Sequence, residues 1–166
     1  MKTKVLFLDR DGTLIEEPDD FQVDALEKIR LVPGVIPALL EIAAHGYRFV
    51  MVSNQDGLGT DTFPERDFRR CQDHVIGLFS SQGIDFDEVL ICPHLPDDRC
   101  DCRKPRPGLV TAYLANTDLD LEASAVVGDR ETDVELAERI GVRGLLLDPT
   151  RGHEHSWAGI AAQLCS

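Results

Sequence analysis

The sequence has 166 residues, 43% of them hydrophobic and 28% charged, the composition of an ordinary soluble globular protein with room for a sizeable core. Lys and Arg number 17 against 30 Asp and Glu, and the resulting net charge of −13 argues against binding to nucleic acid or an anionic membrane. No run is long enough to span a bilayer and the N-terminus lacks the apolar core of a secretion signal, so a cytoplasmic location is expected.

The chain opens on Val5-Leu6-Phe7-Leu8, an apolar run that predicts a strand buried on both faces, as in a parallel sheet. Asp9-Arg10-Asp11-Gly12-Thr13 follows, placing a pair of carboxylates at the strand's C-terminal end, where open α/β sheets hold ligands. Gly12 permits the sharp turn that brings both acids towards one site. Such a pair can bind a divalent cation, attack as a nucleophile, or act as acid and base; taken alone it reads equally well as an Asx-rich turn. Residues 15–29 are acidic and irregular, and predict a loop or short flap over the same edge.

Pro33-Gly34 opens a predicted helix with Val35, Leu39, Ile42 and Ala43 on one face and a stop at Gly46. Phe49–Val52 is the second strand, ending in Ser53-Asn54-Gln55, and residues 56–60 form a flexible loop. Pro64 begins a helix whose stripe is Phe68, Cys71, Val75, Leu78 and Phe79. Val89–Ile91 is the third strand, and Pro107 is placed to start a helix running through Tyr113 and Leu114. Ala125–Val127 is the fourth strand, ending in Gly128-Asp129. A helix from about Thr132 to Ile140 stops at Gly141, Leu145–Leu147 is the fifth strand, and Trp157–Leu164 is a short closing helix.

Strand and helix alternate throughout. That pattern predicts an α/β fold with a doubly wound, Rossmann-type parallel sheet, built as a single domain over residues 1–166. Its strand ends gather Asp9 and Asp11, Ser53 and Asn54, a Cys/His loop and Asp129 at one edge.

Phosphate-ester hydrolysis needs a nucleophile, a proton donor for the leaving oxygen and positive charge around the phosphoryl group. Asp9 can attack and form an aspartyl-phosphate, while Asp11 protonates the leaving alkoxide and then deprotonates water. Ser53 and Lys104 can hold phosphate oxygens, and Asp129 can complete a Mg²⁺ site. Cys92-x-His94-x(5)-Cys100-x-Cys102 brings three thiols and an imidazole into eleven residues. That donor set fits a closed, structural Zn²⁺ site, which would fix the loop carrying Arg103 and Lys104. Cys100-x-Cys102 lacks the spacer of a thioredoxin-type redox pair.

Asp9-x-Asp11-Gly12-Thr13, Ser53-Asn54, Lys104-Pro105 and Gly128-Asp129-x-x-x-Asp133 resemble, in order and in position, the motifs of the haloacid-dehalogenase-like phosphatases. The resemblance implies Asp9 as nucleophile and Asp11 as general acid/base. It implies Mg²⁺ on the Asp9 carboxylate, the Asp11 backbone carbonyl and Asp129, with Asp133 nearby or serving only the helix dipole. The Cys-x-His…Cys-x-Cys-Arg-Lys-Pro loop is similar to two branches, histidinol-phosphate phosphatases and heptose-bisphosphate phosphatases. The stretches 20–24, 54–59 and 86–96 look more like the first. This implies hydrolysis of a small phosphomonoester, histidinol phosphate, with little cap over the site. Many relatives of that branch are fused to an imidazoleglycerol-phosphate dehydratase. The phosphate is expected at Mg²⁺, Ser53, Asn54 and Lys104, with Arg103 as a helper, and the substrate's ammonium group near Glu16, Glu17, Asp20 or Asp56. Heptose 1,7-bisphosphate hydrolysis and a non-catalytic phosphate-binding module are the alternatives. An intact Asp9/Asp11 pair favours an enzyme.

Overall fold

Lys4–Leu8 (β1), Tyr47–Asn54 (β2), Glu88–Cys92 (β3), Ala125–Gly128 (β4) and Arg143–Leu146 (β5) form one parallel sheet in the order β3-β2-β1-β4-β5. The helices are Val35–Ala44 (α1), Glu65–Ser81 (α2), Thr111–Ala115 (α3), Glu131–Ile140 (α4) and Trp157–Leu164 (α5). The computed structural model describes residues 1–166.

β1 is apolar at nearly every position because both of its faces are covered. Leu6 and Leu8 pack into a cluster with Leu39 of α1, Val75 of α2 and Ile160 of α5. Val5 and Phe7 point the other way, to Tyr113 of α3 and Leu136 of α4. Burying each such Leu or Phe side chain contributes about 1.5–3 kcal/mol, so β1 ties the two helical layers to one central strand. Residues on alternate sides of a strand make this possible.

The chain runs outward from β1 through β2 to β3, then returns to β4 beside β1 and ends at β5. The strand order therefore reverses between β1 and β4, and the crevice at such a reversal is where open α/β sheets bind ligands. Asp9 and Asp129 directly follow these two strands. Beneath the turn after β1, the Trp157 indole N–H donates to the Thr13 carbonyl at 2.8 Å, anchoring α5 to it.

Two elements depart from expectation. The helix placed at Pro107 begins only at Thr111, because Gly108 is drawn against Asp101: its N–H donates to the Asp101 carbonyl at 2.9 Å. A Cβ there would lie 2.3 Å from that oxygen, so this stretch is shaped by the Cys/His loop and not by helix propensity. β5 spans Arg143–Leu146, earlier than the Leu145–Leu147 expected from hydrophobicity, since Gly144 pairs with Val126 at the sheet's edge. Residues 15–29 form the expected flap, with one short 3₁₀ turn at Leu26–Lys28. No helix is long and apolar enough to cross a membrane.

Candidate active site

A cleft of about 570 Å³ opens at the C-terminal edge of the sheet, and Asp9, Asp11, Lys104 and Asp133 line it. Lys104 is only 3% exposed, so its ammonium group must be fully satisfied within the protein. It donates to Asp9 Oδ1 and Asp133 Oδ1, each at 2.8 Å, and to the Val52 carbonyl at 2.7 Å. Burial opposes its charge, yet Asp9 and Asp133 raise its pKa above the ordinary lysine value. Burial likewise opposes ionisation of Asp9, but the Lys104 ammonium outweighs it and holds this carboxyl below its usual value. Asp9 is thus kept as a carboxylate at the floor of the cleft.

Asp133 has a double task. Its Oδ2 accepts the Arg130 N–H at 3.2 Å at the start of α4, and its Oδ1 accepts from Lys104. It thus caps the helix and also lines the cleft. Burial and the Asp9 charge push its pKa up to about 6.

Asp9, Asp129 and Asp133 bring carboxylate oxygens within 4.8 Å of one another. Asp129 Oδ1 is buried without any hydrogen-bond partner, and burial together with the Asp9 charge lifts the Asp129 pKa to about 8. An orphaned buried oxygen beside a second carboxylate fits a hard divalent cation, which takes oxygen ligands. Asp129 offers the unpartnered oxygen, and Asp9, whose Oδ2 accepts only a long 3.3 Å bond from the Thr13 hydroxyl, is the carboxylate that could join it on a cation. Gly12 keeps this place open. Its φ is +83°, and a Cβ there would fall 2.1 Å from Asp129 Oδ2. Gly12→Ala should therefore weaken divalent-cation affinity by about 10-fold or more, read by metal titration. Unchanged affinity would remove Asp129 from the site.

Arg10, between the two acids, had no signal of its own in the sequence, yet it is fully buried. Its guanidinium forks onto Asp11 at 2.8 and 3.1 Å, and also donates to Gln72 Oε1 at 2.7 Å and Gln55 Oε1 at 3.3 Å. Phe68 lies under it, 5.2 Å from ring centroid to guanidinium. Gln55 Nε2 donates to Asp11 Oδ2 at 3.0 Å, so Arg10 and Gln55 together orient Asp11. Gln72 interrupts the polar face of α2 only as a buried residue, a signal that spacing does not carry.

Ser53 lies off the cleft, whereas Asn54 reaches it. Ser53 is 1% exposed, does not line the cleft, and accepts from Gln55 Nε2 at 2.8 Å. Asn54 lines the cleft but also staples the Lys104 backbone, accepting its N–H at 3.0 Å. Around the rim, Arg103 pairs with Asp56 at 3.0 Å and Arg130 with Glu17 at 2.5 Å. Glu17, Asp20 and Asp56 line the cleft, whereas Glu16 does not. Arg130 carries no signal in the sequence; only the fold brings it to Glu17.

The Cys/His loop gathers as its spacing predicts. Cys92 Sγ lies 2.9 Å from Cys102 Sγ and 3.7 Å from Cys100 Sγ, and His94 Nδ1 lies 3.2 Å from Cys102 Sγ. All four donor atoms fall within 4.8 Å of one another. Zinc–sulfur bonds of about 2.3 Å in a tetrahedron demand this closeness, so the donor set fits zinc. Burial and the neighbouring thiols push Cys92 up to about 12. Burial is overcome at Cys100, where the backbone N–H groups of Arg103 and Cys102 bring the thiol down to about 7. Arg106 also donates to the Cys100 carbonyl, closing the loop onto the segment that carries Lys104.

A family model described as HAD-hydrolase-like matches residues 101–156. The chain is 53% identical over 161 residues to the histidine biosynthesis bifunctional protein HisB of Legionella pneumophila (strain Lens), covering 97% of this chain and 45% of that protein. It is 54% identical over 152 residues to the protein of the same name from Actinobacillus pleuropneumoniae serotype 3 (strain JL03), covering 91% and 42%. The chain thus spans less than half the length of these curated relatives. Among solved structures it is similar to the D,D-heptose 1,7-bisphosphate phosphatase from B. bronchiseptica, complexed with magnesium and phosphate, with a TM-score of 0.83, 28% identity and 98% of each chain covered. With the acids at the ends of β1 and β4 and Lys104 between them, these likenesses agree with the motifs of the haloacid-dehalogenase-like family.

Proposed function

We propose that residues 1–166 act as a single-domain phosphomonoesterase that hydrolyses L-histidinol phosphate to L-histidinol and phosphate, in histidine biosynthesis in the cytoplasm. Asp9, held ionised by Lys104, attacks phosphorus and displaces the alkoxide, which takes a proton from Asp11. Asp11 then accepts a proton from the water that opens the aspartyl-phosphate, and phosphate leaves. Lys104, its three N–H groups held by Asp9, Asp133 and the Val52 carbonyl, would act on the phosphoryl group as a fixed positive charge, with Arg103 as a helper from the rim, and Asn54 holds the Lys104 backbone in register. Mg²⁺, held by Asp9, Asp129 and the Asp11 backbone carbonyl, would neutralise phosphoryl charge. Zinc on Cys92, His94, Cys100 and Cys102 would serve structure, fixing the loop that leads into Lys104. The bifunctional relatives support a second domain beside this one, which the motif resemblance identifies as imidazoleglycerol-phosphate dehydratase.

One observation carries the choice of substrate. Six acids and three cations line the cleft, and every one of those cations is already paired: Lys104 with Asp9 and Asp133, Arg103 with Asp56, Arg130 with Glu17. A single phosphate can share Lys104 and the metal. A second phosphate, as on heptose 1,7-bisphosphate, would find no free cation and several carboxylates. An ammonium group suits the same surroundings, because six lining acids face three lining cations, even though each acid has a partner, Asp11 in Arg10 and Asp20 in Lys28.

The test is phosphate release with Mg²⁺ from histidinol phosphate, heptose 1,7-bisphosphate and a neutral sugar monophosphate. Histidinol phosphate should have the highest kcat/KM by about 10²-fold or more. Comparable kcat/KM for the bisphosphate would defeat the substrate assignment while keeping the phosphatase chemistry. Phosphate binding without turnover would favour the non-catalytic module.

A further inference from the structure

The cleft is polar except at two points. Phe21 and Leu95 are its only apolar lining residues, and they remain 66% and 47% exposed. Single exposed apolar residues are ordinary, but two that line one otherwise polar cleft, from loops far apart in sequence, are a built feature.

The local structure does not account for the ring at Phe21. Its φ is +60°, the left-handed region where a bulky aromatic is an outlier and Asn or Gly is at ease. The turn is closed by other groups. The Phe21 N–H donates to the Pro18 carbonyl at 2.9 Å and the Gln22 N–H to Asp20 Oδ1 at 3.2 Å. Lys28 Nζ ties the base of the flap, donating to Asp20 Oδ2 at 2.6 Å and the Gln22 carbonyl at 3.1 Å. None of these bonds uses the ring, so a smaller residue would fold here with less strain. The flap therefore presents an aromatic face at a conformational cost.

Leu95 comes from the Cys/His loop. Its N–H donates to Asp98 Oδ2 at 2.8 Å, and a Cβ on Gly57 would lie 3.8 Å from its Cδ2. The loop that brings the four sulfur and nitrogen donors together thereby also delivers an apolar side chain to the cleft.

We propose that Phe21 and Leu95 are specificity-determining residues that grip a flat, unsaturated ring at the end of the substrate away from its phosphate. The inference rests on the phosphomonoesterase reading above and deepens it. An imidazole meets a phenyl ring favourably edge-on or offset, and an imidazolium adds attraction to its face. A polyhydroxylated sugar would instead press hydroxyls against two apolar side chains and leave them without partners.

The variants Phe21→Asn and Leu95→Asn test this, with Phe21→Trp as the rescue, on histidinol phosphate and on the ring-free 3-aminopropyl phosphate. Phe21→Asn should raise KM for histidinol phosphate by about 10-fold with kcat little changed, and leave the ring-free substrate unaffected. Inhibition by L-histidinol should weaken by the same factor, which reads the contact without turnover. The melting temperature should hold or rise, since Asn accepts the backbone better, and Trp should restore KM. Equal losses on both substrates, or unchanged KM and inhibition, would overturn the inference and leave the phosphatase standing. A wild-type protein that hydrolyses neither substrate would overturn the reading beneath it.

Discussion

Asp9→Asn should abolish hydrolysis, lowering kcat by roughly 10⁴-fold or more, the scale on which loss of a nucleophile acts. Asparagine keeps an oxygen that can accept from Lys104, so the buried bond of 2.8 Å has a replacement and the fold should persist. The variant removes the attacking charge and not the architecture. Asp11→Asn should be severe but less so, a loss of about 10²–10⁴-fold, since it takes away proton transfer while the nucleophile remains. Phosphate release under single-turnover conditions checks both. Trapping of a phosphorylated aspartate in the wild type, absent in Asp9→Asn, identifies the covalent step. Near-normal turnover by Asp9→Asn would end the aspartyl-phosphate mechanism.

Lys104→Met should unfold more protein than any change at the rim. The lysine is the only cation touching Asp9 and Asp133, and both acids are nearly enclosed. Deleting one partner of a buried ionic cluster costs about 3–5 kcal/mol because the remaining charges stay desolvated. For a chain of this size that lowers the melting temperature by roughly 6–20 °C. The companion change Asp133→Asn in the Lys104→Met background should recover part of the loss, because one stranded charge is gone. Activity should fall in both, since nothing replaces the ammonium beside the nucleophile. A Lys104→Met protein as stable as wild type would show that the cluster contributes no net stability.

Much of this arrangement is legible in the sequence where chemistry depends on spacing. Asp9, Asp11 and Asp129 follow apolar strands, and the four zinc-type donors lie within one loop, so strand ends and ligand intervals suffice to find them. Lys104 is legible for the same reason, through its place after Cys102. What is not legible is polar burial. Arg10 reads as one more charge in a polar loop, but it is enclosed because Gln72 of α2 and Phe68 meet it from across the sheet edge. Arg130 and Glu17 are 113 residues apart and meet only through the fold. Ser53 follows a strand as a ligand would, yet Gln55 covers it. The late start of α3 has the same origin: a tertiary contact between Gly108 and Asp101 overrides a local preference.

The order of the strands also divides labour in a way that bears on how such a protein can change. The clustered carboxylates Asp9 and Asp129 hang from β1 and β4, which have neighbours on both sides, so any shift in them disturbs several strands at once. Phe21 and Leu95 hang from a surface flap and from the loop beyond edge strand β3. On the proposed function, substitutions there would alter what is recognised without moving what reacts. A lineage carrying this fold can therefore explore new phosphate esters by drift in two peripheral segments, while selection on the reaction itself holds the middle of the sheet fixed.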